Sequence, residues 1–309
     1  MMDRRGFLMG AAAVAGLTAC SVKPQGSAID QKRMAITMDD FTQTFDIGLS
    51  LEQRNANILD AFDAVGHKAA GFVTGSFVES EWGEQVVESW TSRGHLIGNH
   101  TWTHPHANET PTQDYLADIK RNSDYLRSLG HRTDYFRFPF LDDGRDRAQQ
   151  VALFEGLNEQ GLLNAPVTFD TVDWYTTSRM EAKLRENPQI DLGPYRDYYV
   201  EMCVILANYW EETARMLGNI ALPHLTLMHH NVLNGHFLKD VLLALKADGW
   251  AFVDAADALD MTAYHDLPPE PTMGRNWLTL KRREMGIEAL PYPQNYLQFG
   301  KPGMDARGL

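Results

Sequence analysis

Short apolar runs alternate with longer amphipathic segments through most of the chain. The short runs predict β-strands over Met34–Met38, Ala69–Val73, Leu96–Gly98, Tyr135–Phe138, Leu162–Val167, Leu222–Met228 and Trp250–Val253. Between most of these runs, apolar residues recur at helical spacing, which predicts helices over Asn55–Val65, Glu84–Ser92, Thr112–Leu129, Ala148–Gln160 and Gly235–Asp248. Strands that alternate with helices in this way are typical of parallel βα units.

A glycine follows each predicted helix, where a left-handed C-terminal cap is expected: Gly66, Gly94, Gly130, Gly161 and Gly249. About seven βα units over roughly 230 residues favour an α/β barrel of parallel strands. An open doubly wound sheet has the same periodicity and stays an alternative. By length the chain could form one large domain or two ordinary ones, and we predict that this βα domain spans residues 33–262.

Two segments depart from this rhythm. Residues 178–221 are longer than a usual connection and predict an extra helix over Tyr198–Leu217. Residues 263–309 are rich in proline and have no clear periodicity. We therefore expect the second segment to be an extended C-terminal tail that lies over the surface of the domain.

Residues 1–20 have the pattern of a targeting segment, with a charged start, an apolar run and small residues. The pair Arg4-Arg5 resembles a twin-arginine export signal, and Leu17–Cys20 resembles a bacterial lipobox in which Cys20 is lipidated. A polar linker, 21–32, follows. We expect a lipid-anchored protein on the periplasmic side of a bacterial cell envelope; a plain signal peptide and an uncleaved anchor are the alternatives.

Composition narrows the classes of partner. The chain has 309 residues, 44% of them hydrophobic, and a formal net charge of −13 without a long basic cluster, so we expect no nucleic-acid partner. Its two cysteines are Cys20 and Cys203. If Cys20 is acylated, no intramolecular disulfide can form, and Cys203 is then expected to be an ordinary core residue.

The stretch GNHTWTHPH holds His100, His104 and His106, three of the chain's eleven histidines. Two imidazoles four positions apart are suited to a divalent metal, which prefers neutral ring nitrogens. A polar loop can also be rich in histidine by accident, and a catalytic site needs a third ligand.

Polar clusters follow the predicted strands at the same end each time. They are Asp39-Asp40, the histidine cluster, Arg137–Phe140, Asp173-Trp174 and Leu227–His230. The carboxyl ends of the strands form the rim on which βα barrels build their active sites. The pattern therefore predicts one active site that gathers all five clusters.

The motifs TMDD, HTWTH, RFPF, VDW and LMH resemble, in order and spacing, those of the polysaccharide deacetylases of carbohydrate esterase family 4, the NodB-homology domain. The resemblance covers about residues 33–260. Met38 stands where the family usually has Phe, and Phe140 where Tyr is frequent. The resemblance implies a distorted (β/α) barrel and metal-dependent removal of N-acetyl groups from amino sugars.

The resemblance also implies residue roles at the metal. Asp40, His100 and His104 would be the metal ligands, and a carboxylate with two imidazoles leaves room for water and the acetyl oxygen. Zn²⁺ suits this donor set best, while Co²⁺ and Ni²⁺ would also accept it. Asp39 would be the general base, although an adjacent pair of aspartates can also be a helix cap or a turn. His106 has no counterpart in the motif.

Further roles follow from the same resemblance. Arg137 would pair with Asp39 and keep it ionised, the alternative being a surface ion pair. The backbone N–H of Phe140 would help to stabilise the oxyanion.

His229 would protonate the leaving amine and Asp173 would orient it. Leu227 would contact the acetyl methyl group and Trp174 would form an apolar wall against the sugar, unless both are core residues. His230 should point the opposite way along a strand.

The expected substrate partner is an N-acetylated glycan, whether peptidoglycan, a chitooligosaccharide or an exported polysaccharide. One alternative is a hydrolase of a non-sugar amide or an O-acetyl ester on the same barrel. Another is a glycan-binding envelope lipoprotein without activity, against which the complete set of base, ligands and acid argues.

Overall fold

The computed structural model describes residues 31–42, 47–218 and 222–309. The predicted signal segment, with Arg4, Arg5 and the lipidation site Cys20, lies outside the described residues, as does the linker up to residue 30.

The described residues form nine β-strands: β1 Arg33–Ala35, β2 Thr37–Asp40, β3 Ala70–Val73, β4 Leu96–Asn99, β5 Tyr135–Phe136, β6 Leu163–Asn164, β7 Phe169–Asp170, β8 His224–His229 and β9 Ala251–Phe252. β1 and β2 are two pieces of one predicted strand, interrupted at Ile36. There the Ile36 N–H donates to Nε2 of His67 and the Thr37 N–H donates to Oγ1 of Thr226, each at 3.1 Å. Side chains thus replace strand carbonyls in the ladder at this point.

The strands curl into a distorted (β/α) barrel, as the sequence predicts. Their order is β6-β5-β4-β3-β2-β8-β7. β1, the first piece of the interrupted strand, also pairs with β8, and β9 pairs with β1. Every one of these pairs is parallel. β6 and β7 stand at the two ends of this order, yet only residues 165–168 separate them along the chain. Because a residue spans at most about 3.5 Å, the two ends must lie close together. Within the described ranges β6 and β7 are not paired, which leaves a seam between them.

All seven predicted strands are present, and β7 is an additional one that the pattern did not predict. Its two residues, Phe169 and Asp170, lie in a polar stretch too short for an apolar run. They form a strand because β8 supplies a partner edge, where Phe169 pairs with Thr226 and Asp170 with Leu227.

The helices are α1 Leu51–Val65, α2 Gly75–Val78, α3 Glu81–Ser92, α4 Thr112–Ser128, α5 Arg147–Glu159, α6 Asp173–Glu186, α7 Gly193–Met216, α8 Val232–Ala247, α9 Ala255–Leu259, α10 Trp277–Glu284 and α11 Lys301–Asp305. The five predicted helices all occur, as α1, α3, α4, α5 and α8. The glycines after them all have positive φ, from 69° to 91°. The left-handed caps predicted at these positions are therefore confirmed.

The extra helix predicted in the long connection is α7, which begins at Gly193 with a proline in its first turn. It packs against α8 and carries buried Tyr198, Met202 and Cys203. Cys203 is a free, buried thiol, as expected of a core residue. Among the described helices, none combines the length and the hydrophobicity required to cross a bilayer.

The C-terminal segment differs from the extended tail that the sequence predicts. It contains α10 and α11, and its side chains enter the core: Trp277 and Leu278 join one apolar cluster, while Tyr296 and Met304 join the largest one. These apolar residues are too few to show a helical period but bury well against the barrel. The segment therefore packs as part of the domain rather than lying loosely over it.

Candidate active site

A cavity of about 530 Å³ lies at the carboxyl ends of the strands. Its lining includes eight of the ten catalytic, metal and substrate residues predicted from the sequence: Asp39, Asp40, His100, His104, Phe140, Trp174, Leu227 and His229. The other two, Arg137 and Asp173, are fully buried and hydrogen-bond to Asp39 and His229 respectively. The fold thus brings the five sequence clusters to one place.

Asp40, His100 and His104 form a compact group of metal-ligating side chains, with one ligand atom of each within 4.8 Å of the others. Oδ1 of Asp40 lies 3.1 Å from Nε2 of His104 and 3.5 Å from Nε2 of His100. The second ring nitrogen of His100, Nδ1, lies 2.8 Å from the carbonyl oxygen of Arg137 and donates to it. Such an outer contact fixes the tautomer, so that Nε2 faces the group as an acceptor.

The polar atoms of this group fit a divalent cation. Oδ1 of Asp40 is buried, and within the described residues it has no hydrogen-bond partner of acceptable geometry. Burial raises the pKa of Asp40, but His100 and His104 beside it hold that pKa well below its usual range. An ionised carboxylate that faces two imidazole rings is a donor set of the kind that zinc, cobalt and nickel share.

Backbone strain is concentrated around the cavity. All ten described non-glycine residues with positive φ lie in the cavity wall or in segments next to it: Asp40, Phe41, Thr101, His104, Phe140, Leu141, Val172, Met273, Gln298 and Phe299. Such conformations cost roughly 1–3 kcal/mol each and persist where the surrounding structure holds them, often at functional sites. At Asp40, a φ of 78° lets it line the same cavity as its neighbour Asp39, although adjacent strand residues normally face opposite sides.

Asp39 has a different set of partners from Asp40. Its Oδ1 accepts a hydrogen bond of 2.9 Å from Nη1 of Arg137, and its Oδ2 lies 3.8 Å from Nε2 of His100. Arg137 is held in turn by the carbonyl oxygen of Ala165 at 3.0 Å and by Oγ1 of Thr37 at 2.5 Å. Burial lowers the pKa of Arg137, and the carboxylate of Asp39 opposes that shift. Arg137 is therefore a buried partner of Asp39 and not a surface ion-pair residue.

His229 and Asp173 form a second hydrogen-bonded pair. Nδ1 of His229 lies 2.8 Å from Oδ1 of Asp173, and Oδ2 of Asp173 accepts from the His229 N–H and from the amide groups of Asn231 and Asn234. Burial alone would lower the pKa of His229, but the Asp173 carboxylate outweighs it and raises that pKa to about 10. The arrangement favours a protonated imidazole that faces the cavity.

The aromatic residues predicted to contact substrate differ in their surroundings. The Phe140 ring is 48% exposed and packs on His104 and His106, with centroid distances of 4.5 and 3.7 Å. Trp174 is 41% exposed, whereas Leu227 is nearly buried. Trp174 is therefore not a core residue, and His106 supports the Phe140 ring from the edge of the site. His230, directly after the end of β8, is buried and contacts Asn55 and the Phe41 ring, but it also belongs to the cavity lining, so it is not turned wholly away from the site as predicted.

Several lining residues were missed by sequence reasoning. Thr177, Ser178 and Glu181 follow the predicted Trp174 at helical spacing and share the cavity-facing side of α6 with it. This signal was present in the sequence, but the segment had not been predicted as a helix. Asp170 lies on the unpredicted strand β7, and burial raises its pKa to about 6. Phe299 comes from the C-terminal segment, far along the chain, and no sequence pattern pointed to it.

The chain is similar to proteins named as deacetylases over part of its length. The family model for polysaccharide deacetylase matches residues 28–158. A peptidoglycan-N-acetylglucosamine deacetylase of Bacillus cereus is 30% identical over 132 residues, which are 42% of this chain and 45% of that protein. Chitin deacetylase 1 of Saccharomyces cerevisiae is 25% identical over 164 residues, 52% of each protein. The chain thus spans about half the length of these curated relatives.

Solved structures give the same fold. The chitin deacetylase from Colletotrichum lindemuthianum matches with a TM-score of 0.52 and 19% identity, covering 77% of this chain and 92% of that one. The peptidoglycan deacetylase PdaC from Bacillus subtilis matches with a TM-score of 0.50 and 18% identity, covering 76% and 93%. A pseudoenzyme of carbohydrate esterase family 4, in a mutant form with restored activity, matches with a TM-score of 0.52 and 17% identity, covering 75% and 68%. The chain therefore has the fold of the family 4 carbohydrate esterases, and residues 28–158 carry the sequence signature of the polysaccharide deacetylases.

Proposed function

We propose that this protein is a metal-dependent hydrolase that removes N-acetyl groups from an amino-sugar glycan. The observation that carries the proposal is the pairing of two adjacent carboxylates with different partners. Asp40 faces two imidazoles, whereas Asp39 is held by a buried guanidinium 2.9 Å away. This separates a ligand from a base within one cavity, as amide hydrolysis at a metal requires.

Asp40, His100 and His104 are the residues that would hold the ion, most suitably Zn²⁺, with Co²⁺ or Ni²⁺ as alternatives. When bound, the ion supplies Lewis-acid polarisation of the acetyl carbonyl and makes a water molecule easier to deprotonate. The carbonyl of Arg137 keeps His100 in the required orientation through its contact with Nδ1.

Asp39 would accept the proton of the attacking water. Its Oδ1 is engaged by Arg137, so Oδ2, which points towards His100, is the oxygen available for that proton. Arg137 therefore acts as a positioning residue that fixes the orientation of the Asp39 carboxylate.

His229 would give its proton to the leaving amine nitrogen. Asp173 fixes the ring through Nδ1, which leaves Nε2 as the atom that faces substrate. Since the carboxylate raises the pKa of His229 to about 10, the proton is held until the departing nitrogen gains basicity. The two asparagines that donate to Asp173 keep this pair in place.

The cavity wall suits an acetylated sugar. Leu227 is an apolar contact for the acetyl methyl group, and Trp174 offers an exposed ring for the sugar. The backbone N–H of Phe140 would help to stabilise the oxyanion. Because the relatives are named for peptidoglycan N-acetylglucosamine and for chitin, glycans that contain N-acetylglucosamine are the substrates we propose.

We also propose that the protein works in a bacterial cell envelope. The support is the N-terminal sequence alone: twin arginines, an apolar run and a lipobox-like end at Cys20. A lipid anchor there would hold the protein at a membrane on the periplasmic side, beside its glycan.

The direct test combines metal analysis of the purified protein with acetate release from defined substrates. We expect bound divalent metal, and acetate release from N-acetylglucosamine oligomers or from peptidoglycan that a chelator abolishes and added Zn²⁺ restores. Faster acetate release from an O-acetyl ester or a non-sugar amide would favour a different hydrolase on the same barrel. Binding of glycan without acetate release from any substrate, with metal present, would point to a glycan-binding protein and overturn the proposal.

A further inference from the structure

Two large aromatic side chains stand in the wall of the active-site cavity with much of their surface exposed. Trp174 comes from α6 and is 41% exposed, and Phe299 comes from the C-terminal segment and is 55% exposed. Their ring centroids are 4.9 Å apart, and both rings line the cavity that holds Asp40 and His104. Exposed apolar side chains that adjoin a cavity are typical of a ligand-binding surface.

The backbone presents Phe299 in a strained conformation. Gln298, Phe299 and Gly300 all have positive φ, at 47°, 64° and 82°. Only the last is a glycine, so the other two residues keep this conformation because the surrounding structure imposes it. At Gly300 a Cβ atom would lie 2.1 Å from the hydroxyl oxygen of Tyr198, which itself donates a hydrogen bond of 3.0 Å to the Gly300 carbonyl. The turn is thus pressed against α7.

Contacts on both sides of Phe299 fix the segment to the barrel. Before it, the hydroxyl of Tyr296 donates to Glu201 of α7 at 3.0 Å. After it, Asp305 pairs with Arg179 at 3.0 Å. Arg179 belongs to α6, the same helix that carries Trp174. The two rings therefore have a defined relative position that does not depend on a bound ligand.

The side of α6 below Trp174 is polar. Thr177, Ser178 and Glu181 line the cavity, and Oγ1 of Thr177 is buried without a hydrogen-bond partner within the described residues. A buried hydroxyl without a partner costs free energy unless a ligand or water satisfies it. The cavity thus combines an apolar aromatic pair with nearby hydroxyl and carboxylate groups along one wall.

We propose that Trp174 and Phe299 form a subsite that binds the sugar unit next to the one being deacetylated. This inference rests on the proposed function. A pyranose ring has a face of C–H groups that can stack on aromatic rings and a rim of hydroxyls that can bond to Thr177 and Glu181. The carboxylates of Asp170 and Glu181 also line the cavity, Glu181 in an ion pair of 3.2 Å with Arg185, so the unit bound there is not an anionic sugar.

Phe299 is the specific element of this proposal. It lies outside residues 28–158, the part that matches the deacetylase family, and it is supplied by the C-terminal segment. The segment therefore has a role in choosing substrates by length, in addition to packing on α6 and α7.

The test uses the full-length, metal-loaded protein and two probes, N-acetylglucosamine and a longer oligomer of it. Phe299→Ala is compared with Phe299→Tyr, which keeps an aromatic ring, and with Met285→Ala, which removes another exposed side chain away from the cavity. We expect Phe299→Ala to raise KM for the oligomer about tenfold with kcat unchanged, and to leave KM for the single sugar unchanged. Phe299→Tyr should restore the oligomer KM, and Met285→Ala should behave as wild type.

Calorimetric binding of the oligomer gives a second readout, and thermal melting reports whether each variant is folded. The wild type can release acetate while Phe299→Ala leaves KM unchanged for both probes or raises both KM values equally. Either result refutes the subsite and leaves the proposed function standing. If the wild type releases no acetate, the proposed function fails. The subsite, which rests on that function, then fails with it, and weaker oligomer binding by Phe299→Ala would show a sugar-binding surface without deacetylation.

Discussion

Nη1 of Arg137 lies 2.9 Å from Oδ1 of Asp39, and both side chains are buried, Asp39 in the lining of the cavity and Arg137 outside that lining. A buried ion pair of this kind makes each partner costly to remove alone. The contact therefore links the stability of the barrel to the chemistry proposed for Asp39.

Arg137→Met should lower the free energy of unfolding by about 3–5 kcal/mol, because the Asp39 carboxylate would be left buried and unpaired. Urea denaturation followed by circular dichroism measures the loss. The double variant Arg137→Met/Asp39→Asn removes the unpaired charge and should recover part of the lost stability. A double variant that is less stable than Arg137→Met would contradict this coupling.

Asp39 and Asp40 should differ when each is changed. Asp40→Ala removes a metal ligand, so purified protein should lose metal and activity together. Asp39→Asn keeps the size of the side chain but cannot accept the proton of water, so metal should remain while turnover falls roughly 10²–10⁴-fold. Metal analysis and acetate release on one substrate separate the two results.

His104→Ala and His229→Ala provide a matched pair for the same assay. The first should lose metal, and the second should keep metal and lose turnover. Loss of metal from Asp39→Asn, or retention of both metal and activity by Asp40→Ala, would show that the roles are assigned wrongly.

Asp173→Asn should leave metal content near wild type and reduce turnover by about 10²–10⁴-fold. The side-chain amide of asparagine cannot accept hydrogen bonds from all the donors that now surround the Asp173 carboxylate. Because it carries no negative charge, it also no longer stabilises a protonated His229. Comparison with Asn231→Ala tests the role of charge, because that variant removes one donor and keeps the carboxylate. An equal loss of turnover in the two variants would argue that packing, not charge, governs the site.

The folded state should lose stability as the pH falls below about 6.5. Burial lowers the pKa of His67 to about 3 and that of His95 to about 4. In the unfolded chain both imidazoles bind a proton near pH 6.5, whereas in the folded chain they stay neutral at that pH. The stability that depends on these two histidines is therefore fully present above pH 6.5 and declines towards pH 4.

Melting curves recorded with a chelator present exclude the separate effect of acid on metal binding. His67→Gln keeps an acceptor for the Ile36 N–H but does not titrate, so its stability should depend less steeply on pH. A pH dependence identical to that of the wild type would rule out His67 as a source.

Cys20→Ala should give a protein that is no longer acylated. Because one acyl-bearing cysteine supplies the proposed anchor, the variant should leave the membrane fraction when cells are fractionated. Membrane attachment of this variant through lipid would contradict the anchor. Replacing Arg4 and Arg5 together by lysine should block export by the twin-arginine route, and normal export would show that the ordinary secretory route is used.

The sequence determined the order of elements because each depends on local patterns. Apolar runs and helical spacing depend on residues a few positions apart, and the glycines after the helices depend on one backbone conformation. The active-site rim could be predicted for a similar reason, since the carboxyl ends of parallel strands meet at one edge of a barrel. Asp40, His100 and His104 could therefore be expected to meet before any distance was known.

The resemblance implied the partners of Asp39 and Asp40, and only the tertiary structure shows why the two differ. Asp39 and Asp40 are adjacent and chemically identical, and they differ because Arg137 is buried under one of them while two imidazoles face the other. Strand β7 exists because β8 offers it a partner, and Phe299 reaches the cavity because Tyr198 and Arg179 hold its segment in place. The place of β7 and that of Phe299 depend on residues far apart in sequence, and such contacts have no local pattern from which they could be predicted.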